Sequence, residues 1–110
     1  MENVKLDLIR KKLEEMKAED IVVYDVSTSS PLCSYIVVAT ILNPRHGNSL
    51  VRELLDIQEK LGENSRSKPS RDIDPWLLVD LNDIIVHLFT KEERVRIDLD
   101  SLIRKINFYE

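Results

Sequence analysis

The sequence predicts an α/β fold: a small mixed β-sheet with helices packed on it, forming a single domain over residues 1–110. Two observations predict it. Apolar residues recur at spacings of three and four in two charged segments, as they do on the buried stripe of an amphipathic helix. Four short runs rich in β-branched residues, bounded by turn formers, read as strands. In chain order these give helix, strand, strand, helix, strand, strand and a C-terminal element. A chain of 110 residues has room for one core and can bury about two-thirds of its unfolded surface without disulfides.

The first helix is expected from about Asn3 to Ala18, with Leu6, Ile9, Leu13 and Met16 on its apolar face and Asn3 as N-cap. Ile21 to Val26 is expected as a buried strand, "STSSP" as a turn, and Tyr35 to Thr40 as the second strand, apolar on both faces. The second helix carries Leu50, Leu54, Ile57 and Leu61 on one face, widened by Val51 and Leu55, and Gly62 is placed to stop it. Its start is open: Asn43-Pro44 makes a cap and first turn, while Gly47 and Asn48-Ser49 could delay entry. Residues 63–74 are polar and mixed in charge and read as the one long loop. Trp76–Leu81 and Ile84–Phe89 form a hairpin, because Asn82 and Asp83 both tolerate positive φ. Beyond Thr90 the pattern does not choose between a helix and a strand followed by a helix.

Hydrophobic residues make up 43% and charged residues 33%, a globular balance. The N-terminal stretch has charges throughout and no apolar block, so neither a signal peptide nor a membrane span is expected, and a cytoplasmic location is. The net charge of -4 argues against a broad grip on bare phosphates and suits a basic partner. Cys33 is the sole cysteine, which excludes an internal disulfide, and with two distant histidines it builds no metal set. No cofactor is expected.

Few residues carry chemistry. Asp98 and Asp100 would share one face if they lay on a strand, and such a pair can hold Mg²⁺ for nucleotidyl transfer. That reaction also needs a phosphate cradle, and neither Gly47 nor Gly62 lies in a glycine-rich turn. His87 sits inside a strand without a second ligand and reads as a half-buried, hydrogen-bonded side chain. His46 beside Arg45 at a helix mouth could meet an anion or simply face solvent. Trp76 is either a core anchor or an exposed contact for a partner.

The order of motifs points further. "KAEDIVVYDVSTSS", "YIVVAT", "RH" before a helix, "WLLVDLNDIIVHLF", and "EER" followed by "DLDSL" together resemble the ribosomal silencing factor family, also called Iojap, from about Met16 to Leu102. The spacing W-x-x-x-D-x-x-D-x-x-x-H from Trp76 to His87 is its most specific part. The resemblance implies a nucleotidyltransferase-like fold without the catalytic set, and so no enzyme. It implies binding to ribosomal protein L-fourteen on the large ribosomal subunit, where the factor blocks joining of the small subunit and represses translation. A homodimer in isolation is implied, with no membrane and no direct sequence-specific nucleic-acid contact. Thr40, Arg45, His46, Trp76, Asp80, Asp83, His87, Phe89 and Arg94 match family-typical positions, and all of these but Asp83 are carried as partner-binding residues. Asp83 reads as hairpin chemistry. The alternative is a divergent metal-dependent nucleotidyltransferase using Asp98 and Asp100.

Several positions depart from the family pattern. Ser34 stands where an Asp is usual, Ile41 where a Gly follows Ala-Thr, Pro69-Ser70 where Glu-Gly precedes the tryptophan, and Asn82 at the hairpin Gly. Ile97 and Ile103 replace aromatic residues. A β-branched Ile41 is a poor fit to positive φ, so the turn after the second strand should take a different path.

Overall fold

Asn3 opens the first helix: its side-chain oxygen accepts the Leu6 N–H at 3.0 Å, and helix α1 runs Val4–Glu15. The computed structural model describes residues 3–63 and 74–108. Helix α1 ends earlier than Ala18. Lys17 takes a left-handed φ of 65°, its N–H donates to Glu14, and the Ala18 N–H reaches back to Leu13 at 2.9 Å. That closing motif normally uses glycine, so periodicity alone could not place it.

Strand β1 (Glu19–Asp25) pairs antiparallel with β2 (Tyr35–Ile41). Helix α2 (Pro44–Lys60) follows, then β3 (Trp76–Asp80) and β4 (Ile84–Thr90), which pair antiparallel, with β4 parallel to β2. The sheet order is β1-β2-β4-β3, so the two most apolar strands are central. Strand β1 is therefore an edge, and it is only half-buried instead of buried as its sequence implies. Its register with β2 slips between Glu19 and Val22, where Asp20 has a φ of 47°.

Alternation sorts the strand side chains onto two faces. Val37, Ala39, Ile41, Ile84, Val86 and Leu88 meet Leu6, Ile9 and Leu13 of α1 and Leu50, Val51 and Leu54 of α2 in one cluster. Val26, Val38 and Phe89 face the other way, onto Ile103. The C-terminal element resolves into two helices, α3 (Lys91–Ile97) and α4 (Leu99–Phe108), hinged at Asp98, which has φ 52° and ψ 48°. Ile97 and Ile103 both pack in this second cluster.

Helix α2 begins at Pro44 with Asn43 as N-cap, so Gly47, Asn48 and Ser49 do not delay it. Gly47 is where α2 touches the sheet: an added Cβ would lie 2.6 Å from Ile41 Cδ1 and from Leu77 Cδ1. The buried face of α2 is Gly47, Leu50, Val51, Leu54 and Gln58, rotated from the expected one; Ile57 is half-buried and Leu61 exposed. Gly62 closes it at φ 79°, as expected. Ile41 remains in β2, buried and without positive φ, so the chain turns after it. Of the expected 63–74 loop, residues 64–73 lie outside the described residues, and Pro69 and Ser70 with them.

The hairpin turn holds Asn82 at φ 71°, closed by Leu81 N–H to Ile84 O at 2.9 Å. Asp83 does more than turn the chain. Its carbonyl accepts the Ser34 N–H at 2.7 Å, and its carboxylate accepts Lys5 Nζ at 2.8 Å. Lys5 also donates to Glu63 Oε1 at 2.7 Å and to the Leu81 carbonyl, with its side chain only 9% exposed. Burial alone would push this ammonium down, but Asp83 and Glu63 outweigh burial and hold it above the ordinary lysine range. One cation thus ties the start of α1, the end of α2 and the hairpin together.

Candidate partner-docking site

Strand β3 is an outer strand of the sheet, and its successive side chains point alternately into the core and outward. Leu77 and Val79 point into the core, while Trp76 is 39% exposed and Leu78 52% exposed. Trp76 stands opposite Phe89 and Leu78 opposite His87 across the β3–β4 pair. The Trp76 and Phe89 rings stack with centroids 5.0 Å apart and planes at 28°. The Trp76 indole N–H donates to His87 Nδ1 at 3.1 Å, a diagonal contact across the pair. Tryptophan can only donate, so the neutral His87 ring carries its proton on Nε2. His87 is 8% exposed, and burial pushes its pKa from the usual 6.5 down to about 4. The result is a rigid aromatic anchor beside an exposed aliphatic one. Trp76 takes part in both roles left open by the sequence, since one part of the ring packs and another remains accessible.

Eight residues were expected at a binding face, and they fall into separate groups. Trp76, His87 and Phe89 come together. Asp80 lies further along β3 on the same side, where its carboxylate accepts the Asn82 N–H at 2.9 Å. Phe89 is fully buried, so it supports Trp76 and does not itself meet a partner. Thr40 and Arg94 form a second group. Arg94 Nε and Nη2 grip the two oxygens of Asp100 at 3.1 Å each, and Nη1 donates to Asp20 O at 2.7 Å and Thr40 Oγ1 at 2.9 Å. With Thr40 buried and the guanidinium committed to this bracket, neither is a free contact. His46 and Arg45 belong to a third group at the start of α2. His46 accepts the Leu42 N–H at Nδ1 (3.0 Å), and its Nε2 donates to Met16 O at 2.7 Å, while Arg45 is exposed. His46 is a tie between α1 and α2, and both of its nitrogens are in use.

The Asp98/Asp100 motif is not on a strand. Asp98 is the left-handed residue between α3 and α4, and Asp100 stands in the first turn of α4. Both border one hollow with Lys91 and Arg94, but the Asp100 oxygens already accept from Arg94 and from the Tyr24 hydroxyl. Burial would raise the Asp100 carboxyl, yet its bonds to Arg94 and Tyr24 prevail and hold it low. This is a structural ion pair in place of the metal-binding face that a strand would have made. Among the described residues, no group of three or more His, Cys, Asp or Glu is placed to hold a metal ion. None of their helices is long and apolar enough to cross a membrane.

Sequence reasoning missed Leu78 and Lys5. Leu78 was within reach, because alternation puts it on the same face as Trp76. Lys5 stands four residues before Ile9 on the buried stripe of α1, but its acceptors are 58 to 78 residues away in the chain.

A family model described as "Ribosomal silencing factor during starvation" matches residues 2–107. The chain belongs to the ribosomal silencing factor family. A ribosomal silencing factor from Bacillus subtilis (strain 168) is 32% identical over 95 residues, covering 81% of this chain and 75% of that protein. A mouse protein named for mitochondrial assembly of the ribosomal large subunit is 28% identical over 102 residues, covering 88% of this chain and 44% of its own. A crystal structure of a Chromobacterium violaceum protein superposes with a TM-score of 0.81 at 26% identity, covering 89% of this chain and 82% of that one. The family description and the name of the Bacillus subtilis relative both denote silencing of the ribosome and name no reaction.

Proposed function

We propose that this chain docks on the large ribosomal subunit through the outward face of β3, with Trp76 and Leu78 as anchors, and sterically blocks joining of the small subunit. The observation that carries the reading is the pair of exposed apolar side chains on a strand whose other face is fully buried. An aromatic anchor on a rigid base beside a second exposed apolar side chain is the kind of arrangement from which binding hot spots are made. Ribosomal protein L-fourteen is the partner the family resemblance implies, and an acidic chain of net charge -4 suits a basic ribosomal protein. The large-subunit part of the reading is supported by the name of the mouse relative. Asp80, on the same side of β3, and Arg45 are candidate polar contacts at the rim. The scaffold is taken as a nucleotidyltransferase-like fold used for binding, a single domain over 1–110, acting in the cytoplasm and forming a homodimer when free.

The test is co-sedimentation of the purified protein with separated large and small subunits, followed by a subunit-joining assay. Selective binding to the large subunit with fewer joined ribosomes is the expected result. Binding to neither subunit would sink the reading.

A further inference from the structure

We infer that His87 is a positioning residue for docking: its Nδ1 holds the Trp76 indole N–H, so the partner receives Trp76 through hydrocarbon alone. The inference rests on the proposed docking at β3 and specifies its chemistry. An indole has one polar atom. Here that atom is spent on a ring that is itself 8% exposed, at 3.1 Å. What remains of Trp76 for a partner is carbon, next to the equally apolar Leu78. The matching surface on the partner is then an apolar depression with no acceptor aimed at the indole. A partner that offered an acceptor instead would have to break the internal bond first.

Geometry supports positioning over mere packing. Phe89 stacks against the Trp76 ring, but a 180° rotation about Cβ–Cγ would keep the indole in the same plane with its N–H on the other edge. The hydrogen bond to His87 fixes that rotation, because it has one donor and one acceptor. His87 in turn stacks against Phe89 with planes 11° apart and centroids 6.1 Å apart. The three rings thus hold one another, and only the bond from Trp76 to His87 selects a single ring orientation. A pre-oriented anchor avoids the ordering cost that a free rotor would incur on binding.

The experiment uses three variants of the full chain and two readouts. His87→Phe keeps a stacking ring and removes the acceptor, and His87→Leu removes the acceptor with a smaller aliphatic side chain if the phenylalanine disturbs folding. His87→Asn places an amide oxygen near where Nδ1 stands and restores an acceptor. Tryptophan occurs once in the chain, so the single indole N–H resonance of ¹⁵N-labelled protein reports this bond directly. Its exchange with water should be slow in wild type and His87→Asn, and at least about tenfold faster in the acceptor-less variants, as one lost hydrogen bond implies. Large-subunit binding should weaken about tenfold in those same variants and recover in His87→Asn. Acceptor-less variants that free the indole but bind like wild type would overturn the positioning role while leaving the docking reading intact. An indole that already exchanges quickly in wild type would also overturn it. Wild-type protein that sediments with neither subunit refutes the docking reading, and this inference with it.

Discussion

Replacing Lys5 by methionine removes one charge and leaves three acceptors, Glu63, Asp83 and the Leu81 carbonyl, without it. Methionine keeps the length of the stem and suits the buried site, so the loss is electrostatic more than steric. The side chains of Glu63 and Asp83 are 33% and 50% exposed, so water recovers much of what they lose. Each of these ion pairs is then worth at most about 1 kcal/mol. The Leu81 carbonyl belongs to a buried residue, and losing a charged donor there costs about 1–2 kcal/mol. The expected sum is about 2–3 kcal/mol, a large share of the stability of a small domain. Urea unfolding followed by Trp76 fluorescence measures it, with an unchanged denaturant slope showing that the folded state is preserved. A double-mutant cycle with Asp83→Asn should give a coupling of about 1 kcal/mol. A Lys5→Met loss below about 0.5 kcal/mol would refute the idea that this cation holds the helix ends to the hairpin.

Other perturbations probe separate parts of the molecule. Because the His87 pKa is about 4 when folded and near 6.5 when unfolded, the unfolded chain binds the extra proton across that window. The His87 contribution should therefore be flat above pH 6.5 and fall by about 3 kcal/mol on the way to pH 4, and His87→Asn should remove that part of the acid slope. Denaturant titrations at several pH values check the sign; stability that rises on acidification contradicts the burial of a neutral ring. Trp76→Ala should weaken large-subunit binding by about 2 kcal/mol or more while costing less in folding, since part of the ring is in water; equal binding by the folded variant removes Trp76 as the contact. Gly47→Ala should lower the melting temperature: a helix gain of up to about 1 kcal/mol meets overpacking of about 1–3 kcal/mol against Ile41 and Leu77, both core residues. Arg94→Lys should cost about 2 kcal/mol in thermal or urea unfolding, because an ammonium cannot span Asp100, Asp20 and Thr40 together.

Most of the fold was legible because its signals are local. The stripe of α1, its cap at Asn3, the stop at Gly62 and the Asn82 turn are written within a few residues of where they act, whereas the start of α2 was open and its buried face is rotated from the expected one. The burial of β1 was not legible, since it depends on sheet order, and an edge strand can carry the same β-branched residues as a central one. The C-terminal helices were undecided because their break depends on Asp98 entering the left-handed region, which no spacing announces. The site shows the same division. Trp76, His87 and Phe89 share a face by strand alternation, so their meeting was readable. Arg94 and Thr40 meet 54 residues apart, and only the folded chain reveals that the arginine is already spoken for.

The bent start of β1 bears on how copies of the protein can meet. An outer strand with a free row of amides invites another chain to continue the ladder. Here the left-handed Asp20, the slipped register after Glu19 and the acidic side chains of Glu19, Asp20 and Asp25 spoil that template. Self-association along this border would have to work through side-chain surfaces, so two copies would not merge there into one continuous sheet. A concentrated sample should accordingly resist fibrous assembly from this side, even though the strand itself is as β-prone as any in the chain.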